Sequence, residues 1–419
     1  MPPSTSPRVI IIGAGIAGLA CASDLTAAGV PVLILEAGDG VGGRMRTDRT
    51  PSGFVLDRGF QVFNTSYPQV KKRLELRPLQ LRPFTPGALL HTADRRLRFA
   101  DPTRQRRGLA DLMSGRLAKT SDVAALAALS AADMLLPARL ITRRPDRTTR
   151  AALAEAGISA ELTELFFRPF LAGVFLEDEL ETSGRFFHLV WRSMLRGTLT
   201  LPRRGVQAVP EQLAGKLPPR TIRLGAPVRA ITVDGVALAD GTELPATAVV
   251  VAAGPAAAGS LLPSLDVPAT RTVTTVYHAA PVSPLAEPTL LVDTERKVLH
   301  TSVLTEVSPS YSGDGRALIS TSVLGASAPG ADREPGVRAR LAEMYQADTA
   351  GWEHLATYTV PGALPAMTAP YPLSRTSRAG PGRYVCGDHR ATGSVQGALA
   401  SGGRAAREVL ADLAQQLQR

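Results

Sequence analysis

The chain begins with an alternation of apolar and glycine-rich stretches that is typical of a strand–helix–strand unit. Arg8–Ile12 is a β-branched apolar run, and a glycine turn separates it from Ala17–Ala28, an apolar stretch long enough for a helix. Gly29 predicts the end of that helix, and Val32–Leu35 predicts a second strand. This order predicts a βαβ unit with two parallel strands.

The rest of the chain changes character several times. Residues 90–190 show mostly the periodicity of amphipathic helices, with few strand signals. Residues 221–253 are short apolar runs divided by Asp-Gly turns, which predicts a β-meander returning to a buried strand. Residues 271–322 are again rich in strand signals. Further predicted elements are helices at Asp122–Leu136, Ala151–Phe167, Pro210–Leu217, Arg338–Gln346 and Gly397–Leu417, and strands at Thr221–Leu224, Val228–Val233, Val236–Ala239, Ala248–Ala253 and Tyr384–Cys386.

Length and composition fit a multidomain globular chain of mixed α and β class. The 419 residues are enough for two or three domains, and 44% are hydrophobic while 20% are charged. The net charge is +10, and 42 of the 47 basic residues are Arg. The Arg residues form two clusters, which indicate either a solvated basic face or contact with an anionic membrane surface or acidic substrate: Arg95, Arg96, Arg98, Arg104, Arg106 and Arg107, then Arg143, Arg144, Arg147 and Arg150. Nucleic acid binding is not expected, because no aromatic residues interleave with these charges.

The two cysteines, Cys21 and Cys386, lie in apolar stretches and predict small buried side chains. Neither a disulfide framework nor a metal-ligand spacing is present, which favours a reducing cytoplasm and no metal. Residues 1–7 lack the apolar core of a signal peptide. Pro and Gly interrupt the uncharged stretch Leu244–Pro263, so it predicts a buried strand, a turn and a helix rather than a membrane span.

The glycine turn after the first strand has the spacing of a dinucleotide-binding loop: Gly13, Ala14, Gly15, Ile16, Ala17 and Gly18. A GxGxxG pattern is informative when it follows a strand and opens a helix, as it does here. Gly13 permits the tight turn, Gly15 lets the backbone approach a pyrophosphate, and Gly18 allows close packing of helix and strand. Free N–H groups at the helix start then face the phosphates.

Glu36 stands at the end of the second strand, where a carboxylate accepts hydrogen bonds from both hydroxyls of an adenosine ribose. It would repel a 2′-phosphate, which disfavours NADP. The following residues include two adjacent glycines and an Arg that bring backbone and a guanidinium toward a pyrophosphate: Ala37, Gly42, Gly43 and Arg44. The segment Leu56–Phe63 comes next and contains Asp57, Gly59, Phe60 and Gln61.

At these residues the chain resembles the flavin amine oxidase and phytoene desaturase superfamily, in which such segments wrap FAD. Near the C-terminus, Gly387-Asp388 is similar to the family's Gly-Asp, whose Asp holds the ribityl or pyrophosphate part of FAD. The stretch Gly393–Gly402 resembles a family helix start that points its N-terminus at the flavin; it contains Val395, Gln396, Gly397 and Ala398. The resemblance also implies that Val228 contacts the adenine.

The resemblance is weaker where substrate would bind. Residues 168–183, 201–206 and 303–324 look like the desaturase-like branch. Amine oxidases keep a Lys near the flavin, but the comparable strand Thr272–Ala280 has none. No Cys lies between Cys21 and Cys386, so the resemblance implies non-covalent FAD.

No acid–base residue stands at a recognisable spacing, and the catalytic residues stay open. The candidates are Tyr277, His278 and Tyr358, with Phe60, Phe63 and Met367 as further residues facing the substrate. For each aromatic residue the alternative is core packing, and for His278 and His300 it is a hydrogen-bonded structural role.

We expect an FAD-dependent oxidoreductase that moves hydride from a C–H bond of a small hydrophobic substrate to flavin N5, with O2 or a quinone as electron acceptor. The alternatives are an amine oxidase releasing hydrogen peroxide, a non-redox isomerase using reduced FAD, a non-catalytic FAD protein and a plain NAD dehydrogenase.

The expected architecture is α/β. Residues 1–75, 195–268 and 372–419 would form a discontinuous Rossmann-like FAD-binding domain with a mixed sheet and the β-meander. Residues 76–194 and 269–371 would form an inserted α+β substrate-binding domain, one part helical and one part sheet-based. The active site is expected between the two. The expected location is the cytoplasm, with peripheral membrane contact as an open alternative, and the oligomeric state stays open.

Overall fold

The computed structural model describes residues 8–93, 95–100, 118–326 and 332–418. Arg104, Arg106 and Arg107 of the first Arg cluster lie outside these ranges. The described strands are Val9–Ile12, Val32–Leu35, Thr47–Arg49, Val55–Asp57, Phe63–Asn64, Arg82–Pro83, Ala88–His91, Arg96–Phe99, Leu199–Leu201, Ile222–Arg223, Val228–Ile231, Gly235–Leu238, Glu243–Pro245, Ala248–Val251, Thr270–Ala280, Leu291–Asp293, His300–Val303, Ala317–Leu324, Glu353–Pro365, Arg378–Gly380 and Arg383–Val385.

The described α-helices are Ile16–Ala27, Pro68–Arg73, Leu76–Leu79, Thr120–Leu135, Ala138–Thr142, Thr149–Glu155, Ala160–Leu162, Arg168–Phe175, Gly184–Arg196, Ala208–Ala214, Pro255–Leu261, Leu304–Val307, Glu334–Tyr345 and Val395–Leu417. A π-helical turn at Thr163–Phe167 joins two of them, and 3-10 turns lie at Pro309–Tyr311 and Asp388–Arg390.

A six-stranded sheet joins strands from the first and the last parts of the described chain. Val9–Ile12 pairs in parallel with Val32–Leu35 on one side and with Ala248–Val251 on the other. Arg383–Val385 continues the sheet in parallel, and Arg378–Gly380 closes that edge antiparallel. The central strands are completely buried runs of Val and Ile, as expected for parallel strands covered on both faces.

Helices and strands cover the two faces of this sheet. Ile16–Ala27 and Val395–Leu417 pack against each other on one face, around Val9, Ile11 and Val250. The meander and Pro255–Leu261 cover the other face, around Ile10 and Val249. The N- and C-terminal segments are therefore built around one core, although almost 400 residues separate them.

The predicted βαβ unit is confirmed to within one residue at its boundaries, which is the ordinary uncertainty of helix ends. The prediction for Thr221–Leu224 was wrong in its partner. Ile222–Arg223 pairs in parallel with Ile34 and Leu35 in the six-stranded sheet instead of joining the meander. The third meander strand is Glu243–Pro245, a run too short and polar for the sequence pattern to indicate.

A seven-stranded sheet forms the second layer of the molecule. Its strand order is Glu353–Pro365, Thr270–Ala280, Ala317–Leu324, His300–Val303, Leu291–Asp293, Ala88–His91 and Arg96–Phe99. Arg96–Phe99 and the end of Ala88–His91 lie in the segment 90–190, which was predicted to be mostly helical. Ala88–His91 pairs with Leu291–Asp293, about 200 residues further along the chain, and local sequence gives no sign of such a long-range pairing.

The helices between residues 118 and 196 pack on each other and on this sheet. The predicted helix Ala151–Phe167 is divided at Gly157, which has a positive φ of 81°. The helix predicted from Asp122 ends at Leu135, one residue before the predicted end, and a separate short helix follows Pro137 because Pro has no N–H to donate within a helix. Buried aromatic side chains, among them Phe166, Phe167 and Trp191, hold the helices together.

Candidate functional site

A cavity of about 910 Å³ lies where the carboxyl ends of the parallel strands meet the seven-stranded sheet and the helices. Ligand sites in α/β sheets commonly lie at this edge. Its walls come from segments throughout the chain, from Ile12 to Ala398. One end is bounded by backbone and charged groups, and the other by apolar side chains.

The glycine turn forms the first wall of the cavity. Gly13 has a φ of 106°, a conformation that favours glycine, and its N–H donates to the Leu35 carbonyl at 2.8 Å. No atom lies within 4 Å of the point where a Cβ on Gly15 would stand, so that face is open toward the cavity. A Cβ on Gly18 would come within 2.2 Å of the Gly13 carbonyl oxygen, which explains the third glycine.

Glu36 lies beside this turn, immediately after the strand Val32–Leu35. Its carboxylate accepts hydrogen bonds from the N–H groups of Ala14 at 2.7 Å and Gly38 at 2.8 Å. These bonds hold the carboxylate at the cavity wall. The parallel strand Ile222–Arg223 adds to this anchorage, because the Arg223 carbonyl accepts a hydrogen bond from the Glu36 N–H.

Arg44 joins three distant segments at the cavity. Its guanidinium donates to the Asp388 carboxylate at 2.7 Å and to the Ala363 carbonyl, also at 2.7 Å. Asp388 is buried, and its charge raises the pKa of Arg44. The Gly42-Gly43 pair ahead of Arg44 passes close to the glycine turn, with a β-bridge between Gly42 and Gly15.

The long C-terminal helix begins at the cavity. The Ser394 side chain caps it by accepting a hydrogen bond from the Gly397 N–H. Val395 and Ala398 in its first turn line the cavity, as do Gly387 and Asp388. The positive end of the helix dipole therefore faces the same space as the start of Ile16–Ala27.

The structure brings together most of the residues that the sequence predicted for the cofactor. Those that line the cavity are Gly13, Gly15, Ile16, Ala17, Glu36, Ala37, Gly42, Gly43, Arg44, Gly59, Phe60, Gln61, Val228, Gly387, Asp388, Val395 and Ala398. Four others support the wall from behind: Ala14 bonds Glu36, Gly18 packs on Gly13, Gln396 accepts from the Gln69 N–H, and Gly397 packs on Thr392.

The structure does not bring the three catalytic candidates to the cavity wall. The Tyr277 hydroxyl is buried and donates to the Asp57 carbonyl at 2.8 Å. His278 points to the opposite face of its sheet, where Nε2 lies 2.8 Å from Glu334. Tyr358 donates to the Asp48 carboxylate at 2.9 Å. These contacts are structural, so the geometry gives none of the three a contact with substrate. Phe63 and Met367 also lie outside the wall.

The cavity instead presents residues that sequence reasoning missed. His300, which the sequence suggested was structural, lines the cavity, and its ring centroid lies 4.9 Å from that of Phe60 with the two rings tilted by 58°. Burial lowers the pKa of His300 to about 4, so the imidazole is neutral at pH 7. Thr270 and Val273 are the residues that the strand Thr270–Ala280 presents to the cavity. In the sequence, the alternation of His300 with apolar strand residues was the pattern that could have indicated a side chain on one face of a sheet.

Asp57 has a supporting role behind the wall. Its buried carboxylate accepts hydrogen bonds from Thr47 at 2.6 Å and from the Val206 N–H at 2.9 Å. Burial raises the pKa of Asp57 to about 6, against the lowering effect of these hydrogen bonds. Asp57 thus ties the chain before Gly59 and Phe60 to the segment around Val206.

The groups that line the cavity are suited to bind FAD. The open space over Gly15, the N-terminus of the helix Ile16–Ala27 and the Arg44 guanidinium suit a pyrophosphate, and Glu36 suits a ribose. The apolar end suits a ring system. Among the described residues, no group of three or more His, Cys, Asp or Glu side chains is placed to hold a metal ion. Likewise, no helix within the described ranges is long and apolar enough to cross a membrane.

Comparisons with known proteins agree with this site. The family model for flavin-containing amine oxidoreductases matches residues 16–410. Curated relatives match over short segments only. The human lysine-specific histone demethylase 2 is 50% identical over 56 residues, which is 13% of this chain and 7% of that protein. The L-amino acid dehydrogenase of Synechocystis sp. is 44% identical over 61 residues, 15% of this chain and 13% of that protein.

Solved structures match over nearly the whole chain. A putative protoporphyrinogen oxidase from Exiguobacterium sp. 255-15 gives a TM-score of 0.71 at 19% identity, covering 98% of this chain and 100% of the other. Cyclohexylamine oxidase from Brevibacterium oxydans IH-35A gives 0.67 at 21% identity, covering 99% and 100%. These likenesses establish a shared mixed α/β fold. The family match over residues 16–410 shows that this chain belongs to the flavin-containing amine oxidoreductases and is an FAD-dependent oxidoreductase.

Proposed function

We propose that the protein oxidises a small hydrophobic molecule at a C–H bond, as a dehydrogenase, desaturase or oxidase. The supporting observation is that one continuous cavity joins the phosphate-binding turn to a pocket walled by apolar side chains. When bound, FAD supplies the hydride acceptor, at N5 of its ring system. The chain's own residues bind the cofactor, position the substrate and keep water out.

The cofactor would be held by backbone and side-chain groups in three places. The glycine turn, with Arg44 and Asp388, receives the pyrophosphate, Glu36 receives the ribose hydroxyls, and the start of the C-terminal helix receives the flavin ring. Both cysteines are buried, and burial raises the pKa of each thiol, to about 12 for Cys386. We therefore propose that FAD is held non-covalently.

The proposed division of labour follows the two large sheets. A Rossmann-like FAD-binding domain would comprise residues 1–75, 195–268 and 372–419, and an inserted substrate domain residues 76–194 and 269–371. The pairing of Ala88–His91 with Leu291–Asp293 supports this division, because it joins both parts of the proposed substrate domain in one sheet.

An amine oxidase is the second candidate, favoured by the family match. Against it, Val273 stands at the cavity in the strand where amine oxidases keep a Lys, and Lys297 is exposed and paired with Glu295. A non-redox isomerase that uses reduced FAD is a third candidate, distinguished by turnover that consumes no electrons.

Contact with an anionic membrane surface is a further proposal, supported by a patch at residues 134–144. Met134, Leu135 and Leu140 expose 43%, 76% and 45% of their surface, and Arg139 and Arg143 beside them are exposed. An apolar tip with a cationic rim suits an interface with anionic lipid.

Anaerobic reduction of the protein's flavin, followed by mixing with oxygenated buffer, tests the reaction class. Rapid recovery of the oxidised flavin spectrum, with hydrogen peroxide as product, would indicate an oxidase and direct the search to amines. Slow recovery would indicate a dehydrogenase, desaturase or isomerase, with a quinone as the first acceptor to test. Purified protein without flavin, after supply of FAD, would contradict the proposal.

A further inference from the structure

We infer that the apolar end of the cavity takes an uncharged ligand, and that His300 fixes it through one hydrogen bond. This inference rests on the proposed function, because it names the class of substrate and a residue that binds it. It concerns the part of the cavity beyond the glycine turn, bounded by the seven-stranded sheet and the helices Arg168–Phe175 and Gly184–Arg196.

The wall of this part is mainly hydrocarbon. Aromatic and aliphatic side chains come from both helices, from the segment after the strand Val55–Asp57 and from the residue before the strand Leu291–Asp293: Phe60, Phe170, Val174, Phe186, Val190 and Leu290. Two polar side chains of the cavity are already engaged. The Asn64 amide donates to Ser193 at 3.1 Å, and the Gln61 amide donates to the Arg44 carbonyl at 2.7 Å. A ligand of matching shape is therefore held chiefly by apolar contact.

The charged side chains of the cavity have partners and do not serve this end. Arg44 is paired with Asp388, and Arg58 is paired with Asp48. Glu36 accepts two backbone hydrogen bonds at the far end, beside the glycine turn. An ammonium or a carboxylate entering the apolar end would lose its water without gaining a counter-charge, which is strongly unfavourable.

His300 is the exception in this wall. Its Nε2 is completely buried and has no hydrogen-bond partner, and it is the one fully buried side-chain nitrogen or oxygen in that condition among the described cavity residues. The side chain is 8% exposed. Buried polar atoms in folded proteins nearly always have partners, and an unpartnered one at a cavity indicates a ligand group. A neutral imidazole offers one donor and one acceptor.

The surroundings hold the imidazole in position. The Phe60 ring lies against it, and the strand partner of His300 is Ser322, which also lines the cavity. On the helix above, a Cβ at Gly173 would come within 2.7 Å of the His300 Nδ1. Gly173 thus gives the ring its space, and a methyl group there would displace the ring without changing its chemistry.

Ligand binding to the FAD-loaded protein tests the inference under anaerobic conditions at pH 7. Four probes share one ring and differ in one group: toluene, benzyl alcohol, benzylamine as its cation and benzoate. Binding is followed by the absorbance change of bound FAD and by the shift in Tm. We expect benzyl alcohol to bind at least about tenfold more tightly than either ion.

Variants then assign the hydrogen bond. His300→Leu and Gly173→Ala should each weaken benzyl alcohol about tenfold relative to toluene, and His300→Gln should recover part of the loss. His278→Gln is the matched control, a buried His in the same sheet that faces the other side, and it should leave all four affinities unchanged.

Equal binding of the ions and benzyl alcohol, no binding of any probe, or an equal effect of His300→Leu on toluene and benzyl alcohol would overturn the inference. None of these results would contradict the proposed function, which the flavin reduction experiment tests separately. Conversely, the expected selectivity in a protein that oxidises nothing would leave the inference standing and remove the function.

Discussion

The Arg44 guanidinium lies 2.7 Å from the Asp388 carboxylate, although 344 residues separate the two along the chain. Both residues line the cavity, and the contact links the segments that follow an early and a late strand of the six-stranded sheet. Arg44 also donates to the Ala363 carbonyl at the end of the seven-stranded sheet. One side chain therefore connects both large sheets at the place where the cofactor is proposed to bind.

Removing one partner of this pair should lower both the free energy of unfolding and the binding of the cofactor. Asp388→Ala leaves Arg44, which is one-third exposed, without its carboxylate, and we expect a loss of about 2 kcal/mol in the free energy of unfolding, below the cost for a fully buried pair. Urea unfolding of Asp388→Ala, Arg44→Ala and the double variant measures the coupling. Strictly additive effects would show that the two residues act independently.

Gly15→Val should separate cofactor binding from folding. A Cβ at Gly15 would meet no atom within 4 Å other than those of its chain neighbours, so the Val side chain would extend into the cavity, and we expect FAD content to fall at least about tenfold while the cofactor-free protein keeps its Tm. Flavin absorbance per mole of protein measures this. Gly351→Val, at an exposed site that is equally open, is the control and should keep its FAD. Full flavin content in Gly15→Val would contradict the proposed cradle.

Asp57 should make the protein less stable as the pH rises from about 4 to about 6. Its pKa in the folded protein is about 6, above the value near 4 of the unfolded chain, so folding is favoured by protonation. Protonation of Asp57 stabilises the folded protein by about 3 kcal/mol. This stabilisation is fully present below about pH 4 and is lost as the pH rises to about 6. Urea unfolding at pH 4.5 and 6.5 measures the slope, which Asp57→Asn should reduce. An unchanged slope in the variant would assign it to other groups.

The flavin should leave the protein completely on denaturation. Cys21 and Cys386 are buried in the six-stranded sheet and its helix, and burial raises both thiol pKa values, so neither thiol is a ready nucleophile. Acid precipitation followed by measurement of flavin in the supernatant and the pellet tests this. The Cys21→Ala/Cys386→Ala variant should behave in the same way, whereas flavin in the wild-type pellet alone would show a covalent bond to one of them.

Membrane contact should depend on the apolar tip of the 134–144 patch. Leu135→Glu with Leu140→Glu should lower sedimentation with vesicles of anionic phosphatidylglycerol and neutral phosphatidylcholine severalfold, and salt should weaken binding of the wild type. Val233→Glu with Val282→Glu is a matched control, since both residues are exposed apolar side chains elsewhere on the surface. Equal loss in both variants would point to net charge rather than to this patch.

Most of the residues proposed to bind the cofactor could be predicted from short motifs in the sequence. The turn Gly13–Gly18, Glu36 after its strand and the Gly42-Gly43-Arg44 stretch are recognisable because phosphate binding needs glycines at fixed short spacings beside a strand and a helix. Residues that support the wall from behind, such as Gly18, were predicted for the same reason. Periodicity likewise placed the first βαβ unit to within one residue.

Only the tertiary structure determined which side chains line the part of the cavity where the substrate is proposed to bind. His278 and His300 both alternate with apolar strand residues, and sequence could not tell which of them faces the cavity, because the answer depends on which face of the sheet each strand presents. The seven-stranded sheet is assembled from pairings such as Leu89 with Leu291, which leave no local pattern. Local spacing therefore specified the part of the cavity where we propose that the cofactor is held, while long-range strand pairing specified which side chains line the rest of the cavity.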